Sequence, residues 1–144
     1  MTDSGASPPA GDQTPEVRVA PPEEVAPRFS VGKLSRHVLV CAGPSCCDTD
    51  IGAQTWGVFK RAAARLQLEG KAPVFRTLCK CLRMCGHGPI VVVYPEGVWY
   101  SRVTPEAAEQ IVREHLEGGR VVEELVFARD SLGDKRQGES CQGL

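Results

Sequence analysis

No stretch of this chain approaches the roughly twenty consecutive apolar residues of a membrane-spanning helix, so nothing in it asks for a bilayer. The amino terminus lacks the basic start and apolar centre of a secretory signal, and it has too few arginines and serines for a transit peptide. A basic stripe interleaved with aromatics is missing as well. Lys and Arg number 17 against 18 Asp and Glu, a formal net charge of −1, and that balance excludes the electrostatic footprint of a nucleic-acid binder. No Cys-x-x-Cys occurs, which removes the arrangement that lowers a thiol's pKa and supplies its resolving partner in dithiol oxidoreductases. No repeat is evident.

Large apolar residues are scarce at both ends. Residues 1–34 carry Pro8, Pro9, Pro15, Pro21, Pro22 and Pro27 among Ser, Gly, Asp and Glu, too little apolar surface to offset chain entropy, and they read as a disordered leader. Residues 128–144 are equally polar and read as a flexible tail. The 144 residues therefore hold one domain, residues 35–127.

What the chain does have is thiols. Seven cysteines without a signal peptide point to a reducing, cytoplasmic setting, where clustered thiols hold metal more often than they form disulfides. Cys41-x4-Cys46 follows the apolar run Val38-Leu39-Val40, and Cys81-x3-Cys85 runs through Gly86-His87-Gly88-Pro89 into Ile90-Val91-Val92-Val93-Tyr94. Two strand ends can thus deliver two sulfurs each to one point, and four thiolates on two loops suit iron–sulfur or zinc. Gly43, Gly86 and Gly88 permit sharp turns and close approach of backbone to sulfur. Lys80, Arg83 and Arg76 beside the second loop can offset a cluster's negative charge or receive an acidic partner.

The surrounding pattern supplies the scaffold. His37–Val40 stops too soon for a helix and reads as a buried strand. Asp48, Thr49 and Asp50 offer cap oxygens to a helix over about 50–68, with Ile51, Thr55, Val58, Phe59, Ala62, Ala63 and Leu66 at helical spacing and Gly70 as its stop. Val74–Leu78 alternates like a strand. Ile90–Tyr94 and Val98–Tyr100 flank Pro95-Glu96-Gly97 as a hairpin. Thr104-Pro105 opens a second helix with Ala108, Ile111, Val112 and Leu116 on one face. Val121–Phe127 is apolar and fits no single state. The fold class is α/β, a mixed sheet with two main helices and a cysteine-rich loop.

Cys81-x3-Cys85 followed by Gly88-Pro89-Ile90-Val91-Val92-Val93-Tyr94-Pro95-Glu96-Gly97-Val98-Trp99-Tyr100 and Thr104-Pro105-Glu106 resembles the thioredoxin-like 2Fe-2S ferredoxins. The tighter pair Cys41-x4-Cys46 looks more like the small 2Fe-2S subunit of the NADH-oxidising module of respiratory complex I, which shares that fold; the free ferredoxins space this pair more widely. The resemblance spans roughly His37 to Phe127. It implies a thioredoxin-like fold and one 2Fe-2S cluster per chain near solvent, held by Cys41, Cys46, Cys81 and Cys85. It also implies one-electron transfer to redox partner proteins and a homodimer. The alternatives are a subunit fixed to a flavin-containing reductase or hydrogenase, and a structural zinc module.

Cys46 and Cys47 are adjacent, and the four-residue gap favours Cys46 while leaving a one-residue shift open. Cys79 reads as a packed bystander and Cys141 as a free thiol in the tail. A centre with imidazole ligands needs two histidines on one iron, so His87 reads as a loop residue beside the cluster. His37 and His115 read as strand-edge and helix-surface residues, Trp99 and Tyr100 as core or interface, and Trp56 as packing. The apolar hairpin Ile90–Tyr100 is a second argument for a homodimer.

Overall fold

The computed structural model describes residues 19–133. Five strands form one mixed sheet in the order β2-β1-β3-β4-β5. Strand β1 (Arg36–Cys41) pairs in parallel with β2 (Val74–Cys79), His37 opposite Phe75 and Cys41 opposite Cys79. Its other side pairs antiparallel with β3 (Ile90–Tyr94), which turns into β4 (Val98–Tyr100). Adjacent parallel strands need a crossover, and α2 (Thr49–Leu68) provides it.

Local chemistry sets these elements. Asp48 caps α2 by accepting from the amides of Asp50 and Ile51 at 2.9 and 3.2 Å. Thr55, Val58, Phe59, Ala62, Ala63 and Leu66 form its buried face, and Gly70, at φ +67°, follows its end. In the β3–β4 turn Gly97 has φ +69° and donates to Val93 O at 2.8 Å. Thr104 caps α3 (Pro105–Ile111) through Ala107 N at 3.2 Å, and the helix continues as a wider π turn over Val112–Glu117.

The sheet buries two faces unequally. Val38 and Val40 of β1, Val91 and Val93 of β3, and Val98 and Tyr100 of β4 meet α2 and α3 in the main core. The alternate residues point the other way. There Cys41, Cys46 and Ile90 form a smaller cluster against Cys79, Leu82 and Trp99.

Several expectations change. Val121–Phe127 splits into a 3-10 turn (Glu123–Leu125) and a fifth strand, β5 (Val126–Arg129), antiparallel to β4. Ahead of residue 35, α1 (Pro22–Val25) and a 3-10 turn (Ala26–Phe29) are ordered. Phe29 stands edge-on to Phe75 with centroids 6.3 Å apart, and Gln67 donates to Arg28 O at 3.0 Å, so this segment lies against α2 and β2. The rest of the expected leader, residues 1–18, and the tail from residue 134 lie outside the described residues. His37 is not at an edge, because β1 has a strand on each side, and its Nε2 meets Thr77 Oγ1 at 2.7 Å. His115 is not on the helix surface but fully buried. Among the described residues, no helix is long and apolar enough to cross a membrane.

Candidate metal centre

Because β1 and β2 are parallel neighbours, their carboxyl ends lie at the same edge of the sheet, where open α/β sheets hold ligands. Cys41 ends β1 and Cys79 ends β2. The chain leaves each into a loop, and the two loops are laced together: Gly86 N donates to Ser45 O at 3.3 Å and Gly88 N to Cys46 O at 3.0 Å. Behind the second loop, Arg102 N donates to His87 O at 2.9 Å and Val103 N to Pro89 O at 3.0 Å, tying it to the irregular segment that follows β4.

Between the loops lies a cavity of about 570 Å³ whose walls include Cys41, Cys46, Cys81 and Cys85 together with Lys80, Arg83 and Met84. The four thiols expected as ligands therefore share one space. Cys41 and Cys46 form its buried wall, while Cys81 and Cys85 are exposed. Arg83 takes a left-handed φ of 69°, and its amide donates to Cys81 Sγ at 3.2 Å. Burial, reinforced by the neighbouring Cys41 thiol, pushes the Cys46 thiol up to about 12. Binding a metal there requires the thiolate, so loading releases this proton.

Neither Cys47 nor Cys79 is among the described residues that line the cavity. Cys47 is adjacent in sequence, yet its Sγ lies behind the loop, 4.0 Å from Gly43 O. Burial raises its pKa, as it does that of Cys79. The Cys79 thiol is 3.3 Å from Val40 O and packs beneath Cys41. Cys141 lies outside the described residues. His87 faces a neighbouring groove of about 240 Å³ with Met84, Arg102 and Phe127 rather than the cysteine cavity. Arg102, at φ 50°, also borders that groove and was not singled out by sequence, where it is one arginine among many. Trp99 supports the buried wall and Tyr100 belongs to the main core, while Trp56 packs against that core.

The four thiols line a cavity whose charged lining residues, among those described, are the cations Lys80 and Arg83. A cluster of two ferric ions, two sulfides and four thiolates is a dianion, which fits such a lining.

Comparison with known proteins agrees. No family model matches the chain. A Priestia megaterium protein named for the 2Fe-2S ferredoxins is 34% identical over 119 residues, covering 81% of this chain and 91% of that protein. The 2Fe-2S ferredoxin of Aquifex aeolicus is 53% identical over 49 residues, 34% of this chain and 44% of its own length. The solved structure of a thioredoxin-like 2Fe-2S ferredoxin from Aquifex aeolicus superimposes with a TM-score of 0.57 at 35% identity, covering 67% of this chain and 93% of that one. Sequence similarity along nearly the whole of a relative and a shared topology lead to one conclusion: the chain belongs to the thioredoxin-like 2Fe-2S ferredoxins.

Proposed function

We propose that this chain is a one-electron carrier holding one 2Fe-2S cluster through Cys41, Cys46, Cys81 and Cys85. The observation that carries the reading is the cavity these four thiols share, with cations as its charged lining. The bound cluster supplies reversible uptake of one electron. The chain's own residues do the rest. Cys41 and Cys46 anchor the group in the fold, and the exposed Cys81 and Cys85 keep it near solvent, within reach of a partner. The Arg83 amide offsets charge on the Cys81 sulfur, and such hydrogen bonds tune reduction potential.

Two measurements test the assignment. Anaerobically purified protein should be red-brown, with about two iron and two acid-labile sulfides per chain; stoichiometric zinc without sulfide refutes it in favour of a zinc module. Cys41→Ala, Cys46→Ala, Cys81→Ala and Cys85→Ala should each prevent normal assembly, whereas Cys47→Ala, Cys79→Ala and Cys141→Ala should keep the visible spectrum. A cluster that survives Cys46→Ala and is lost in Cys47→Ala would move the second ligand by one residue.

The partners we infer are redox proteins that dock acidic residues over the Cys81–Cys85 side, supported by Lys80 and Arg83 at the cavity and the absence of any carboxylate from its walls among the described residues. The six described cysteines, all free, favour a reducing cytoplasm. A homodimer is proposed on the family resemblance alone. Most apolar side chains of the hairpin, Val91, Val93, Val98 and Tyr100 among them, are buried in this chain's own core, whereas Trp99 is half-buried beside the exposed Phe127. Sedimentation as a monomer at micromolar concentration, with the cluster intact, would end that proposal.

A further inference from the structure

Cys46 and Cys47 are chemically identical neighbours, and something in the fold must tell them apart. Two glycines stand on either side of them. A Cβ built on Gly88 would lie 2.0 Å from Cys46 Sγ, 2.9 Å from its carbonyl oxygen and 3.1 Å from its carbonyl carbon. Unbonded heavy atoms sit comfortably at about 3.5–4.0 Å, so no side chain fits there while Cys46 stays where it is. Conformational freedom is not the reason for this glycine, since Gly88 is not among the residues with positive φ. Its neighbour Gly86 is the opposite case: it has φ +82°, and a Cβ on it would meet nothing within 4 Å.

Gly52, in the first turn of α2, makes the matching clearance on the other side. A Cβ there would lie 2.6 Å from Ala42 O and 3.0 Å from both Ala42 Cβ and Cys47 Sγ. The Cys47 thiol thus occupies space that only a glycine in the helix leaves open.

We propose that Gly88 and Gly52 are positioning residues that sort the twin thiols, Gly88 seating Cys46 Sγ in the cluster cavity and Gly52 seating Cys47 Sγ against α2, away from it. The inference rests on the reading of Cys46 as a ligand. It adds the prediction that ligand choice at this pair is set by two missing side chains rather than by spacing.

The test compares the full-length protein with Gly88→Ala, Gly52→Ala and Gly86→Ala, the last carrying backbone strain without a collision. On cluster-loaded protein, the rate of bleaching by an excess of iron chelator and the midpoint potential are measured. After cluster removal, each thiol's alkylation by iodoacetamide is mapped by mass spectrometry. Gly88→Ala should speed bleaching roughly tenfold or more, the usual scale for residues that orient ligands. It should also shift the potential and raise Cys46 alkylation severalfold, with Cys41 and Cys79 unchanged. Gly52→Ala should raise Cys47 alkylation in the same selective way, and Gly86→Ala should leave both thiols protected.

Continued protection of Cys46 in Gly88→Ala, an equal effect of Gly86→Ala, or a common rise at Cys41, Cys46 and Cys79 would overturn the proposal, the last by showing general loosening. If Gly88→Ala yields no soluble protein, adding Cys46→Ala, which removes the severest of the three collisions, should restore part of the yield, and failure to restore any also overturns the proposal. A cluster that survives Cys46→Ala refutes the ligand reading separately, because the alkylation pattern needs no cluster.

Discussion

A buried imidazole lowers stability whenever it must take a proton, and His115 is such a group, with 0% of its surface exposed. The Tyr100 hydroxyl accepts from Val122 N at 3.2 Å and lies 2.8 Å from His115 Nδ1. Nε2 faces Glu96 Oε1 at 3.5 Å, and the same oxygen receives Arg36 Nε at 2.8 Å. Burial pushes the imidazole's pKa below its ordinary 6.5, outweighing the carboxylate's pull in the other direction. The unfolded chain therefore binds this proton more readily than the folded one, so the stability His115 contributes is present above about pH 6.5 and lost as pH falls below it. Urea midpoints at pH 7.5 and 5.5 should fall toward acid, and His115→Phe should shrink that difference; an unchanged difference would place the acid sensitivity elsewhere. By sequence His115 read as a helix-surface residue, although its spacing from Ile111, Val112 and Leu116 places it on their face. What the sequence did not disclose was its partner, since Tyr100 arrives from β4 and only the folded chain brings the two together. The paired cysteines were legible for the converse reason, being close in sequence and chemically unlike their surroundings.

Elements were readable where local rules are strong. The crossover helix α2 has a cap, a period and a stop, and the structure starts it at Thr49 against an expected start near residue 50. Its cap is worth testing because Asp48 follows Cys47 directly and holds the first turn against the ligand loop. Asp48→Ala leaves the amides of Asp50 and Ile51 without their acceptor and should lower stability by about 0.5–2 kcal/mol, measured by urea denaturation of the cluster-free protein. A loss outside that range on the low side would mean that water serves the cap as well as the aspartate does. β5 and the helical segment at Pro22–Phe29 were not legible. Each is short, mostly exposed and ordered by what it packs on: β5 by pairing with β4, and the earlier segment by Phe29 against Phe75. Proline content alone misreads such a segment, since proline favours the first turn of a helix as readily as a loop.

Across the whole molecule, formal charge is nearly balanced, yet Lys80 and Arg83 concentrate positive charge where an electron would leave. Small metal complexes can report that local field without a natural partner. With Lys80→Glu/Arg83→Glu, oxidation of the reduced protein by an anionic cobalt complex should slow severalfold at low salt, and oxidation by a cationic complex should speed up. The two proteins should converge as the screening length falls to about 10 Å near 0.1 M salt and below it at higher salt. Identical rates at every ionic strength, with the spectrum unchanged, would show that the two side chains balance only the cluster itself.

The unequal faces of the sheet have a further consequence, for motion. The valines that seal β1 and β3 against α2 and α3 have no thiol among them, whereas the opposite cluster is made around Cys41 and Cys46. Stability in such a molecule is divided into regions that open separately. In native-state hydrogen exchange, removing the metal should therefore leave the amides of Val91, Val92 and Val93 as slow as before, while those of Gly86 and Gly88 lose protection. A uniform acceleration would instead make the cluster a keystone of the entire fold. If only the loop amides respond, the protein can lose and regain its cofactor without unfolding, because the breathing of the two laced loops is enough to admit it.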